Sequence, residues 1–170
     1  MTDDAREQRE AQWRTAVARP LAWREAHATF DDAVADLPAE LRGRRVAGFP
    51  HSAWELVEHV RITQRDILDF CRDANYEEAH WPDDYWPKRA EPPSDEAWEQ
   101  SLADYRADRD ALAALTNDAE RVPDLHAAIP PPHGSGQTYL REVLLVADHT
   151  AYHVGQLVML RRQLGAWPNA

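Results

Sequence analysis

Two histidines four residues apart, His149 and His153, lie in the most apolar helical stretch of the chain, YLREVLLVADHTAYHVGQLVMLRRQLGAW. That spacing sets both imidazoles on one helix face, one turn apart. A third histidine, His59, sits inside a second strong helical pattern, SAWELVEHVRITQRDILDFC. Neutral imidazole suits zinc, nickel, iron and copper, and three nitrogen ligands leave positions for water or substrate. Three such rings facing one another inside a helix bundle make an open metal site. The segment HTAYH has no glutamate directly after its first histidine, so the zinc-peptidase helix motif is absent.

On a helical wheel His59 shares its stripe with Ser52, Glu55, Leu56, Thr63, Asp66 and Phe70. The stripe of His149 and His153 carries Glu142, Leu145, Val146, Gln156 and Leu160. Both stripes mix polar with apolar groups. Burying ionisable side chains costs several kcal/mol unless they are paired or bound to metal, so polar groups on inward faces require a partner. Glu55, Asp66 and Gln156 are candidates to orient the ligand imidazoles from behind. Packed or water-bonded core histidines are the competing reading of the pair.

The remaining histidines point to less chemistry. His51 precedes His59 by two turns, roughly 12 Å along a helix axis, too far to share one ion. His27 reads as a core or surface residue of the first long pattern. His80, His126 and His133 fall in loops, with His133, in PPHGSGQT, placed to border a pocket. The Gly-Ser-Gly turn after it is no phosphate loop, since no lysine follows and no strand precedes. Cys71 lies about 18 Å along the helix from His59. Only Arg72 beside it is cationic, so it reads as buried packing rather than a nucleophile. The seven tryptophans read as core and loop anchors.

The elements that must position these groups are helical. The chain has 170 residues, enough for one domain with a real core, and only 6 glycines. Residues 2–18 read as a short polar helix, an extension anchored by Trp13. From Pro20 the pattern LAWREAHATFDDAVADLP predicts a first long bundle helix closed by Pro38. Ser52 and Glu55 form a capping box that opens the next helix, running to about Arg72. Residues 75–93 form a long loop rich in proline, acid and aromatics. Ser94 caps a third helix ending near Asn117. After a loop over 118–137, Thr138 caps the last helix, which stops at Gly165. No strand pattern is present, and the expected class is all-α, a four-helix bundle over residues 20–170 with a helical extension over 1–19.

A net charge of -11 argues against nucleic acid and against an anionic membrane surface. Residues 94–120 carry eight acids against Arg106 and Arg109, which reads as a solvated helix face. One cysteine forms no intrachain disulfide and fits a reducing compartment. The start MTDDAREQREAQWR has no apolar segment, and no apolar run is read as long enough to span a bilayer, so the expected location is the cytoplasm.

SAWELVEHVRITQRDILDFC, WPDDYWP and HGSGQTYLREVLLVADHTAYHVGQLVMLRRQLGAW together resemble the DinB-like superfamily, also called DinB/YfiT-like metalloenzymes. The resemblance spans roughly residues 20–168 and is strongest over the last helix. The family pattern has one histidine on the second bundle helix and a His-x-x-x-His pair on the last. On this chain they fall on His59, His149 and His153. The resemblance implies a bundle of up-down-down-up type, a divalent metal (nickel or zinc most often), and frequently a homodimer. It also implies one of several activities on small molecules. These are thiol S-transfer with a low-molecular-weight thiol, isomerisation of maleylpyruvate with mycothiol, or hydrolysis. The extra N-terminal helix departs from the minimal pattern. A metal-dependent thiol transferase or hydrolase is therefore the leading expectation. A non-catalytic metal-containing stress-response or small-molecule-binding dimer is the alternative, and a purely structural bundle is the third.

Overall fold

The computed structural model describes residues 2–130 and 132–168. Among these residues the chain is all-helical: α1 (Asp3–Ala18), a 3-10 turn (Arg19–Leu21), α2 (Phe30–Val34), α3 (Ala39–Arg42), α4 (Ala53–Arg72), α5 (Asp95–Asn117) and α6 (Tyr139–Gln163). The one departure is an isolated bridge between Ala128 and Thr138.

The long helices begin where capping chemistry dictates. The Ser52 side chain accepts from the Glu55 amide while the Glu55 carboxylate accepts from the Ser52 amide, so α4 starts at Ala53. Ser94 and Thr138 accept from the amides of Ala97 and Arg141 and start α5 and α6. Arg161 and Arg162 lie at the negative end of the α6 dipole, and Gly165 beyond it has φ 69°, the left-handed conformation of a helix stop. In the 118–138 loop a Cβ on Gly134 would lie 1.8 Å from the Ile129 carbonyl oxygen, so the HGSG turn admits only glycine there.

Two expectations are corrected. The pattern over 21–38 does not form a long helix. Thr29 and Asp32 make their own capping box, which delays the helix to Phe30. Ala35 is extended and Asp36 takes φ 53°, which ends it after five residues. Local side-chain bonds from Thr and Asp outcompete the apolar periodicity there. The helix anchoring the N-terminus is also held differently. Trp13 is 44% exposed, whereas the next residue, Arg14, is buried. Its guanidinium donates to the carbonyls of Thr116 (3.0 Å) and Pro123 (3.0 Å) and to Glu10 (2.8 Å). The planar fork of arginine suits two carbonyls at once, one in the last turn of α5 and one in the loop after it, which an indole has no second donor to serve.

Helix α4 packs on both α5 and α6, and α1 lies along α5. The apolar core falls into two clusters. One joins Trp54, Leu56, Val57 and Val60 of α4 to Trp98 and Tyr105 of α5 and to Val154, Leu157 and Leu160 of α6. The other joins Leu68 and Cys71 of α4 to Leu112 of α5 and to Val143 and Val146 of α6. The early part of α4 therefore meets the late part of α6, so the two run antiparallel. Between the clusters both helices turn polar groups inward. That band contains His59 and Thr63 on α4, and His149 and His153 on α6.

By length and composition alone, α6 is long and apolar enough to cross a membrane, contrary to the reading that no run is. Its inward face, however, buries Glu142, His153 and Arg161. It packs against α4 and α2.

Candidate metal centre

The polar band brings the three histidines together. His149 Nε2 lies 3.2 Å from His59 Nε2 and 3.1 Å from His153 Nε2. His59 and His153 are buried and His149 is half-buried. Among the described residues no carboxylate or thiol joins this group.

Each ring is held through its other nitrogen. His59 Nδ1 lies 2.8 Å from the Tyr85 carbonyl oxygen, and His153 Nδ1 lies 2.7 Å from Gln156 Oε1. Both oxygens only accept, so each Nδ1 carries the proton and donates it. The Thr63 hydroxyl spends its own hydrogen on the His59 carbonyl at 2.8 Å, which leaves its oxygen to accept from His149 Nδ1 at 3.3 Å. In neutral imidazole a protonated Nδ1 means that Nε2 is a bare lone pair. Three lone pairs are therefore gathered together, with that of His149 little more than 3 Å from each of the other two nitrogens.

The rings are neutral for a physical reason. Burial pushes His59 and His149 down to about 4, and repulsion from the neighbouring imidazoles acts in the same direction. Burial lowers His153 as well, against the opposing bond to Gln156.

The donor set fits a small divalent cation. Two nitrogens each about 2.0–2.1 Å from one ion stand roughly 2.9 Å apart at a right angle and about 3.4 Å apart at the tetrahedral angle. The observed separations of 3.1 and 3.2 Å fall between these limits. A cation between the rings turns mutual repulsion into attraction, and the Nδ1 bonds are the outer-shell contacts that metal-ligating histidines make.

Aromatic groups wall the centre. Trp86 lies flat on His59, with ring centroids 3.8 Å apart and planes 3° from parallel. His51 stacks on Trp86 at 4.0 Å. Trp86 thus separates the two histidines, in keeping with the expectation that they do not share an ion. Trp81 and Tyr152, 69% and 64% exposed, stand 6.3 Å and 4.9 Å from His59 and His153 between ring centroids.

Of the three groups expected to orient the imidazoles, Gln156 does so directly. Asp66 touches no imidazole and instead accepts from the Tyr76 and Tyr85 hydroxyls. Glu55 serves the α4 cap and pairs with Arg45. Both departures have a local cause. A glutamate at the third helical position is drawn back to the cap, and Asp66 lies about two turns beyond His59, out of its reach. The Thr63 hydroxyl and the Tyr85 carbonyl were not singled out from sequence, and Trp86 was read only as one aromatic of a loop expected to shape a substrate pocket. Thr63 was visible on the His59 stripe, four residues on. The loop residues carried only the aromatic density of WPDDYWP.

The other singled-out groups lie elsewhere. His133 Nε2 is 3.1 Å from the Phe70 carbonyl oxygen, and the ring borders a cavity of ≈ 200 Å³ with Cys71 and Tyr139. Cys71 is buried and its thiol is pushed up to about 12, by burial first and then by Glu142. His27 lines a separate cavity of ≈ 240 Å³ with Trp23 and Phe30.

The sequence profile of the DinB superfamily matches residues 22–157, a stretch that contains all three histidines. The chain belongs to the DinB superfamily, and its three clustered histidines form a possible metal site of that metal-associated family. No curated protein and no solved structure gives a significant match.

Proposed function

We propose that this chain is a metal-dependent enzyme acting on a small molecule, by thiol S-transfer or hydrolysis, with His59, His149 and His153 holding one divalent ion, nickel or zinc. The observation that carries the reading is the convergence of three Nε2 atoms whose Nδ1 partners leave each of them a free lone pair. A divalent ion held there supplies Lewis acidity, which lowers the pKa of water or of a thiol toward neutrality. The chain's own groups do the positioning. Tyr85, Gln156 and Thr63 hold the Nδ1 protons and aim the lone pairs. Trp86 covers one face of His59 and keeps water from it. Trp81 and Tyr152 offer exposed apolar surface at the rim, where a small substrate docks.

The test is elemental analysis of untagged protein, followed by a screen of metal-loaded protein with low-molecular-weight thiols plus electrophiles and with hydrolysable esters and amides. Stoichiometric metal with metal-dependent turnover supports the enzyme. Protein that takes up no divalent metal overturns it.

A second reading, a metal-containing dimer that binds without turnover, is favoured by the outer face of α6. Leu144, Tyr152 and Met159 are exposed along it. A Cβ on Gly155 in the same stripe meets open space. A homodimer that buries this stripe and binds small molecules tightly without turnover is its expected signature in sedimentation and calorimetry.

A further inference from the structure

Asp66 is the one buried-side acid of the His59 stripe whose bonds all lead into the 75–93 loop. Its Oδ1 accepts from the Tyr76 hydroxyl at 2.9 Å and its Oδ2 from the Tyr85 hydroxyl at 2.8 Å. The two tyrosines differ in what else they do. The Tyr76 ring packs edge-on against Phe70 and lies 5.4 Å from the His133 ring, away from the three histidines. Tyr85 is buried, and its carbonyl accepts the His59 Nδ1 hydrogen at 2.8 Å. The next residue, Trp86, lies flat on the same imidazole. One residue pair in the loop therefore determines both the orientation of His59 and the nitrogen that carries its proton. The loop itself has no helix or strand to hold it there.

We propose that Asp66 is a positioning residue of the three-histidine centre: by clamping the Tyr85 and Tyr76 hydroxyls it holds the Tyr85 carbonyl on His59 Nδ1, and so keeps His59 Nε2 free to face the cation. The inference rests on the metal-centre reading above. A neutral imidazole has two tautomers, and the one with its proton on Nε2 presents no lone pair to an ion. The carbonyl excludes that tautomer only while the loop stays in place. A carboxylate is the acceptor suited to this task, because it takes two phenol hydrogens at once on separate oxygens. Outer-shell partners of this kind typically alter metal affinity by about 10–100-fold.

The test compares the full-length wild type with Asp66→Ala, Asp66→Asn, Tyr85→Phe and Tyr76→Phe. Zinc affinity is read by competition with a chromophoric chelator. The His59 tautomer is read in metal-free protein from the nitrogen-15 resonances of the imidazoles. Asp66→Ala should weaken zinc binding roughly 10–100-fold and turn His59 from a fixed Nδ1–H form into a tautomer mixture. His153, held by Gln156, should keep its signature. Asp66→Asn should fall between, because its single amide oxygen still accepts one phenol hydrogen. Tyr85→Phe should weaken binding more than Tyr76→Phe, because only Tyr85 carries the carbonyl on His59. Wild-type zinc affinity together with an unchanged His59 signature in Asp66→Ala overturns the proposal. If Asp66→Ala fails to fold, Tyr85→Phe against Tyr76→Phe decides it, and equal effects from the two count against the clamp. Absence of zinc binding in the wild type would sink the metal-centre reading instead, and the metal-free spectra would still decide whether Asp66 sets the tautomer.

Discussion

Two regions along α4 hold a histidine against a long loop, His59 beneath the 75–93 loop and the half-buried His133 within the 118–138 loop, and they end up chemically opposite. Near the middle of the helix, His59 meets His149 and His153, and every Nδ1 has an oxygen partner. At the C-terminal end, about 18 Å further along the axis, His133 lies near Cys71 at the edge of the same cavity. There the ring bonds through Nε2 to the Phe70 carbonyl, and its buried Nδ1 has no hydrogen-bond partner among the described residues. The Cys71 thiol is held in its neutral form by burial. Proximity of metal-binding residue types is common to both regions. The difference lies in the oxygen atoms behind the rings. In the first region they turn three lone pairs toward one point. In the second the single carbonyl ties down one ring, which packs against the Phe70 and Tyr76 rings, and among the described residues no second nitrogen or carboxylate joins it.

The sharpest way to break this contrast is to remove a ring from each region. His149→Ala should abolish stoichiometric metal uptake, read by elemental analysis, while circular dichroism shows the helical content retained. His133→Ala should leave metal content at the wild-type level. Metal retained by His149→Ala, or lost from His133→Ala, would erase the distinction.

Stability offers the next test. Arg14→Ala leaves the Thr116 and Pro123 carbonyls without their buried donor and opens a cavity beside α5. A loss of about 2–4 kcal/mol in a denaturant melt is expected, with metal content unchanged, because the Arg14 guanidinium bonds to Glu10, Thr116 and Pro123 and to none of the three histidines. Saturating metal should act oppositely in the wild type. At a free concentration of about 100 times Kd it adds roughly 2.7 kcal/mol, and none in His149→Ala.

The pH dependence is a smaller effect and sharpens the comparison further. In metal-free protein the folded pKa values of His59 and His149 lie at about 4, below the ordinary value of 6.5. Above 6.5 both folded and unfolded chains keep these rings neutral, and the full stability is present. As pH falls from 6.5 toward 4 the unfolded chain takes up protons that the folded chain refuses, so stability is lost. The melting temperature of the metal-free wild type should drop across this window. The drop should be shallower in a His59→Ala His149→Ala variant, in which those two rings no longer contribute. The smallest effect belongs to the other region. With its thiol pushed up to about 12, Cys71 should resist alkylation at pH 8 in the folded protein and react once the chain is unfolded.

Much of this was legible residue by residue. The capping box of α4, the caps of α5 and α6 and the stop at Gly165 follow from short-range hydrogen bonds, and those bonds depend only on residues three or four apart. The pairing of His149 with His153 on one face follows from helical period alone. The pattern over 21–38 misled because Thr29 and Asp32 offered the backbone a competing start, and local periodicity is blind to that competition. Trp13 against Arg14 was a similar error. Hydrophobic size favoured the tryptophan, but the groups to be satisfied were two carbonyls distant in sequence, one at the end of α5 and one in the loop beyond it.

The amino-acid order alone determined an all-helical chain, the positions of three helix starts and two imidazoles on a shared face, because these depend on neighbours within one or two turns. Only the tertiary structure decided that His59 stands level with that pair. The same holds for the loop carbonyl at Tyr85 that ties down one of its nitrogens, and for Asp66 serving the loop rather than a ring. Those outcomes depend on how antiparallel helices slide past each other and where a long loop is fastened, and no local rule carries that information across dozens of residues.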